Sequence, residues 1–194
     1  MLKLRTVILS GLFIVALTAS AQLSFGVKAG LNMSSISDVE DSKMKIGYKV
    51  GPMAEISLPG STMGVQAALL LSSKGVKADG FDAQINANYL ELPITFVYKF
   101  PLAFDTNLYV DAGPYFAYGI FGKSDISFEG VSLGVDTFSD DFGMKKFDTG
   151  LTIGAGMEVA KFNFGLNYDL GLTKVFDEGD GKNGNFWISL GYKF

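Results

Sequence analysis

Ten charged side chains fall on the sparser side of alternating stretches: Lys28, Lys49, Lys99 and Lys193, against Glu55, Glu91, Asp111, Asp148, Glu158 and Asp169. Paired carboxyls do general acid–base work when two of them flank a substrate cleft at a defined separation. No spacing among Glu55, Glu91, Asp111 and Glu158 marks such a pair. The chain has no histidine and no cysteine. That removes Ser-His-Asp and Cys-His catalysis, thiolate metal sites and His-based zinc sites. The run from Asp177 to Asn185 is rich in Asp, Gly and Asn like a calcium loop. It lacks the twelve-residue EF-hand spacing and the closing bidentate Glu, and reads as a solvated turn. No enzyme activity, cofactor or metal is expected. The chemistry that remains is structural: Lys28, Lys49, Glu55, Glu91, Lys99, Asp111, Glu158 and Asp169 make a charge network in a narrow interior, where charges are tolerated only when paired and hydrogen-bonded.

What holds these residues on one side is strand alternation, which sends successive side chains to opposite faces. In the clearest segment Leu90, Leu92, Ile94, Phe96, Tyr98 and Phe100 share a face, with Glu91, Pro93, Thr95 and Lys99 opposite. Pro93 cannot donate to a ladder, so a bulge or a missing hydrogen bond is expected there. Seven further segments carry the pattern: Phe25 to Met33, Ile46 to Ile56, Val65 to Ser72, Leu108 to Ile120, Asp148 to Val159, Phe162 to Thr173 and Phe186 to Phe194. Segments of roughly ten residues match the thickness of a membrane for tilted strands. Beyond the first 21 residues no apolar run approaches the ~20 residues of a spanning helix.

The connections alternate in length. Pro59-Gly60-Ser61, Pro101 to Asn107 and Ala160-Lys161 are short, whereas Ser34 to Lys45, Lys74 to Asn86, Gly122 to Lys146 and Lys174 to Asn185 are long and polar. In an up-and-down meander this puts short turns at one end with both termini, and long loops at the other. Outer-membrane barrels have that asymmetry, with periplasmic turns and extracellular loops. A soluble eight-stranded barrel also alternates, but with its apolar face inward. The non-apolar face here is too rich in Gly and too poor in charge for a water-exposed surface. The fold expected is all-β: an eight-stranded antiparallel up-and-down transmembrane β-barrel. Its inward glycines, among them Gly30, Gly51, Gly113, Gly150, Gly156 and Gly165, either make room for large neighbours or leave a cavity.

Lys3 and Arg5, the apolar stretch Val7 to Leu17 and the small residues Thr18 to Ala21 have the form of a signal peptide cleaved before Gln22. Residues 22–194 then form one barrel domain. Removal of Lys3 and Arg5 takes the net charge from −4 to −6, so nucleic acid is not an expected partner. The terminal strand alternates to the last residue and closes the ring against the segment Phe25 to Met33, since a bare apolar edge would aggregate. Within the loop Gly122 to Lys146, Ile126-Ser-Phe128 and Val131 to Val135 alternate, so the flanking strands are expected to continue beyond the membrane. This loop is the expected contact for a surface or secretion partner.

Six motifs in order carry a family likeness: Gly26-Val-Lys-Ala-Gly-Leu-Asn32, Leu69-Leu-Leu-Ser-Ser-Lys-Gly75, Asn88-Tyr-Leu-Glu-Leu-Pro-Ile94, Ala112-Gly-Pro-Tyr115, Gly154-Ala-Gly-Met-Glu158 and Asn167-Tyr-Asp-Leu-Gly-Leu172. Together they resemble the PorT-like outer-membrane β-barrel family of Bacteroidetes. The resemblance implies a Gram-negative outer membrane and insertion by the outer-membrane assembly machinery, with Tyr192 and Phe194 of the last strand as its signal. It carries no catalytic motif. The expected role is a monomeric structural or surface-interaction barrel in outer-membrane lipid with a side-chain-filled lumen. A narrow, porin-like channel or transporter, or an accessory barrel of a secretion assembly by analogy with PorT, are the alternatives.

Overall fold

A computed structural model describes residues 22–37, 42–78, 83–128, 131–139, 144–175 and 180–194. These form ten strands: β1 (Gln22–Ile36), β2 (Ser42–Ser57), β3 (Met63–Ala68), β4 (Leu70–Ala78), β5 (Ala83–Pro101), β6 (Thr106–Phe128), β7 (Val131–Asp136), β8 (Phe147–Val159), β9 (Phe162–Lys174) and β10 (Lys182–Lys193). Every pairing is antiparallel, and β1 pairs with β10 to close the ring. The closing ladder runs from Gly26 opposite Lys193 to Ile36 opposite Asn183, and Phe194 N donates to Phe25 O at 2.9 Å. Among the described residues every strand but β7, which pairs only with β6, has a partner on both sides.

Ten strands make eight staves. β3 and β4 keep one register against β5, and against β2 as far as Lys49, beyond which the β2–β4 ladder shifts by one residue; they are parted only at Leu69. Two prolines cause the gap. Pro52 of β2 accepts from Leu69 N at 2.9 Å but has no N–H to return. Pro93 of β5 faces the same point from the other side, and the ladder lapses there without a bulge. β7 and β8 likewise share one edge of β6, β7 along Lys123–Phe128 and β8 along Thr106–Tyr118. The stave leaves the ladder at Thr137, whose N–H donates to Gly122 O, and rejoins it at Lys146, which accepts from Gly119 N.

Several staves are longer than the expected ten residues: β5 has 19 and β6 has 23. The stretches Ser34 to Lys45 and Lys74 to Asn86, read from composition as long loops, are mostly strand, because their polar residues extend the alternation past the apolar band. The signal segment and the tip of the Asp177 to Asn185 loop lie outside the described residues.

The outer surface carries a band of exposed apolar side chains, among them Phe25, Leu31, Ile46, Phe96, Ile153, Leu166 and Ile188. At the turn end aromatics meet edge-on or tilted: Tyr98 with Phe100, and Tyr192 with Phe162 and Phe194, as in the girdles of membrane barrels. In β6 a bulge places Gly119 opposite Tyr89 and Phe121 opposite Asn88, so Ile120 and Phe121 both face outward. Inward positions switch there from odd to even numbers.

The charged lumen as candidate functional site

Alternation turns the polar residues of all eight staves into the lumen, which is filled in layers. At the turn end, Lys99 Nζ lies 2.6 Å from Glu55 Oε1 and 3.1 Å from Glu158 Oε2. Lys193 Nζ lies 2.9 Å from Glu55 Oε2 and also pairs with Glu158. Each cation touches both carboxylates, so β2, β5, β8 and β10 are tied by a closed square of four charges. Gln66 extends it, donating to Glu55 at 3.1 Å and accepting from Lys28 Nζ at 3.3 Å.

Above this square Tyr109 Oη donates to Asn163 Oδ1 at 2.7 Å. The inward glycines make room for such rings. A Cβ on Gly165 would sit 2.5 Å from Tyr109 Oη, and one on Gly150 would sit 2.6 Å from Tyr115 Cε1. Lys28 and Asp111 occupy the middle of the barrel, with Lys28 Nζ 4.9 Å from the centre of the Trp187 ring.

The next layer is a chain of alternating charge. Lys49 pairs with Glu91 and lies 2.5 Å from Asp169 Oδ2; Lys74 lies 2.8 Å from Glu91 Oε2 and 3.4 Å from Asp148 Oδ2. Neutral donors complete the terminal carboxylates. Asn185 donates to Asp169 at 2.8 Å, while Thr173, Asn183 and Tyr115 donate to Asp148 at 2.9, 2.9 and 3.2 Å. Aromatic faces serve the cations, Trp187 under Lys49 at 4.8 Å and Tyr115 under Lys74 at 4.8 Å. Buried charge needs such double satisfaction, because desolvation costs several kcal/mol per ion.

An apolar cap closes the loop end, built from Ile36, Ala87, Tyr89, Tyr115, Ala117, Phe138, Met144 and Val175. Phe138 and Met144 come from the excursion between β7 and β8. Phe138 meets Tyr89 edge-on at 5.5 Å and lies where a Cβ on Gly119 would be. Thr137 Oγ1 donates to Asn86 O at 2.9 Å. So part of the segment Gly122 to Lys146, expected to reach outward for partners, turns inward and stoppers the mouth.

All eight residues assigned from sequence to the lumen charge network point inward, Lys99 being the most accessible. Seven of them join ion pairs or hydrogen bonds given above; Asp111 makes no ion pair among those. Sequence reading overlooked Lys74 and Lys45 of the interior, because both were assigned to loops. The parity of Leu70, Ser72 and Lys74 was the available signal. Tyr192 and Phe194 face outward at the turn-end rim. At the end of β9, exposed Lys174 lies 2.5 Å from Asp180 and holds that carboxyl below the usual carboxylate range.

A family profile described as outer membrane protein beta-barrel domain matches residues 18–177. The chain belongs to that family. It is a protein of the outer membrane, and lipid surrounds its apolar face. Among solved structures, a major outer membrane protein from Thermus thermophilus is similar at 13% identity and a TM-score of 0.56, covering 89% of this chain and 100% of its own. Neisserial surface protein A (NspA) is similar at 13% identity and a TM-score of 0.51, covering 90% and 99%. The outer membrane enzyme PagL is similar at 13% identity and a TM-score of 0.52, covering 85% and 98%. At such identities the likeness is one of fold. No curated protein sequence matches the chain.

Proposed function

We propose that this barrel is a closed, non-enzymatic outer-membrane protein that works through its surface and passes no solute. The observation that carries the reading is the layered lumen: a four-charge square, a five-charge chain and an apolar cap, each spanning the interior. Planar-bilayer recording on the purified barrel tests it. The expected result is a silent bilayer. Steady single-channel conductance that changes on Glu91→Gln would overturn the reading in favour of a narrow conduit.

In this reading the short turns and both termini face the periplasm, after cleavage of a signal peptide before Gln22, and Tyr192 and Phe194 serve the assembly machinery. The β6–β7 hairpin, the part of the Gly122 to Lys146 segment not used by the cap, is the surface offered to a partner. The six ordered motifs support placement among the PorT-like, Bacteroidetes-type members, and the closed ring supports a monomer. Because the chain has no cysteine, Ser132→Cys and Ser61→Cys each create a single label site. Intact cells should label at position 132 with a membrane-impermeant maleimide and at 61 only after permeabilisation. The reverse order would invert the orientation.

A further inference from the structure

Between the two charged layers the lumen contains a void of about 10 Å³, lined among others by Lys28, Gln66, Ala68, Thr95, Asp111 and Trp187. Asp111 is 8% exposed and Trp187 3% exposed, and both line the void. Asp111 Oδ1 and Trp187 Nε1 are buried atoms without a hydrogen-bond partner. One is an obligate acceptor when ionised and the other an obligate donor. Lys28, on the same void, donates to Gln66 at 3.3 Å and has donors to spare.

We propose that this void is a binding site for one water molecule, which joins Lys28 and Trp187 to Asp111. Size and charge select the ligand. The void is just large enough for one water molecule. Lys28 and Asp111 carry opposite charges, so the site is neutral and favours a small dipole over an anion or a cation. A water accepting from Trp187 Nε1–H and Lys28 Nζ–H, and donating to Asp111 Oδ1, has the three partners typical of buried water. It converts two separated charges into a water-mediated pair and links the Glu55 square, through Gln66 and Lys28, to the far wall of β6. The Lys49–Glu91–Lys74 layer above and the Lys99–Lys193 square below enclose it, so exchange with bulk is slow.

Trp187 is the chain's single tryptophan, so its indole N–H gives one resolved resonance in a ¹H–¹⁵N spectrum of the ¹⁵N-labelled barrel in lipid nanodiscs. The expected result is a dipolar cross-peak from that proton to a long-lived water. Ala68→Val fills the void while leaving Lys28, Thr95 and Asp111 in place, and should abolish the cross-peak with the amide spectrum otherwise preserved. Persistence of the cross-peak in Ala68→Val would mean relay from the ammonium or a hydroxyl and would overturn the proposal. Its absence in the wild type would mean an empty void or a direct Lys28–Asp111 pair, with the same consequence. If Ala68→Val does not fold, Leu70→Phe, at another residue of the lining, makes the same test by filling the void while Lys28 stays in place. Loss of the cross-peak there supports the bound water, and its survival refutes it.

Discussion

Lys74 carries the sharpest energetic expectation in the lumen. Its ammonium sits 2.8 Å from Glu91, 3.4 Å from Asp148 and 4.8 Å from the centre of the Tyr115 ring. At an effective dielectric of ~20 the two ionic contacts are worth about 6 and 5 kcal/mol before desolvation is subtracted. The desolvation of the ammonium, several kcal/mol, is recovered when Lys74→Met removes the charge. What is not recovered is the desolvation of Glu91 and Asp148, which stay buried with one cation fewer, so a net loss of about 3–5 kcal/mol is expected. Adding Glu91→Gln removes the stranded carboxylate and leaves Lys49 with Asp169, and Asp148 keeps its bonds from Thr173, Asn183 and Tyr115. The double variant should therefore regain about 1–3 kcal/mol relative to Lys74→Met, the range of coupling between contacting residues. Urea titration of the folded barrel in lipid vesicles, read by Trp187 fluorescence and by electrophoretic mobility, measures both. A loss below ~1 kcal/mol for Lys74→Met, the scale of an exposed ion pair, would refute the idea that this layer is sealed from solvent. So would a double variant no more stable than the single one.

Three further expectations use the same titration or a simple digest. Phe96→Arg, on the lipid face of β5, should cost about 2–4 kcal/mol near the bilayer midplane; normal stability would contradict the outward assignment of its face. Ala160, in the turn between β8 and β9, has φ of 49°, a region that costs an L-residue about 1–2 kcal/mol. Ala160→Gly should raise stability by up to ~1 kcal/mol, and a decrease would show that the methyl has a packing role. Gly119→Val puts a side chain where Phe138 lies, so it should free the cap and speed proteolysis between β7 and β8. The bilayer should stay silent, because the Lys49–Glu91–Lys74 layer below still closes the lumen; a conducting variant would assign closure to the cap alone.

Which face each residue takes was readable from the sequence because parity persists along a strand: Leu92 and Phe96 outward, Glu91 inward, follow from alternation alone. Parity fails where the ladder is irregular. The bulge at Ile120 reverses it within β6, and the excursion that brings Phe138 into the mouth has no periodicity to betray it. Partner choice was also hidden, since Lys49 meets Asp169 from 120 positions away, and only closed-ring register sets that meeting. The alternating segments put six carboxylates inward and only four lysines, Lys28, Lys49, Lys99 and Lys193. A low-dielectric interior does not hold two uncompensated anions, so the imbalance implied two more inward cations. Lys45 and Lys74 supply them, both buried and both in stretches read as loops. The excess of acid was thus evidence that β2 and β4 run further than their apolar residues do, and charge neutrality would have located strand ends that hydrophobic alternation could not.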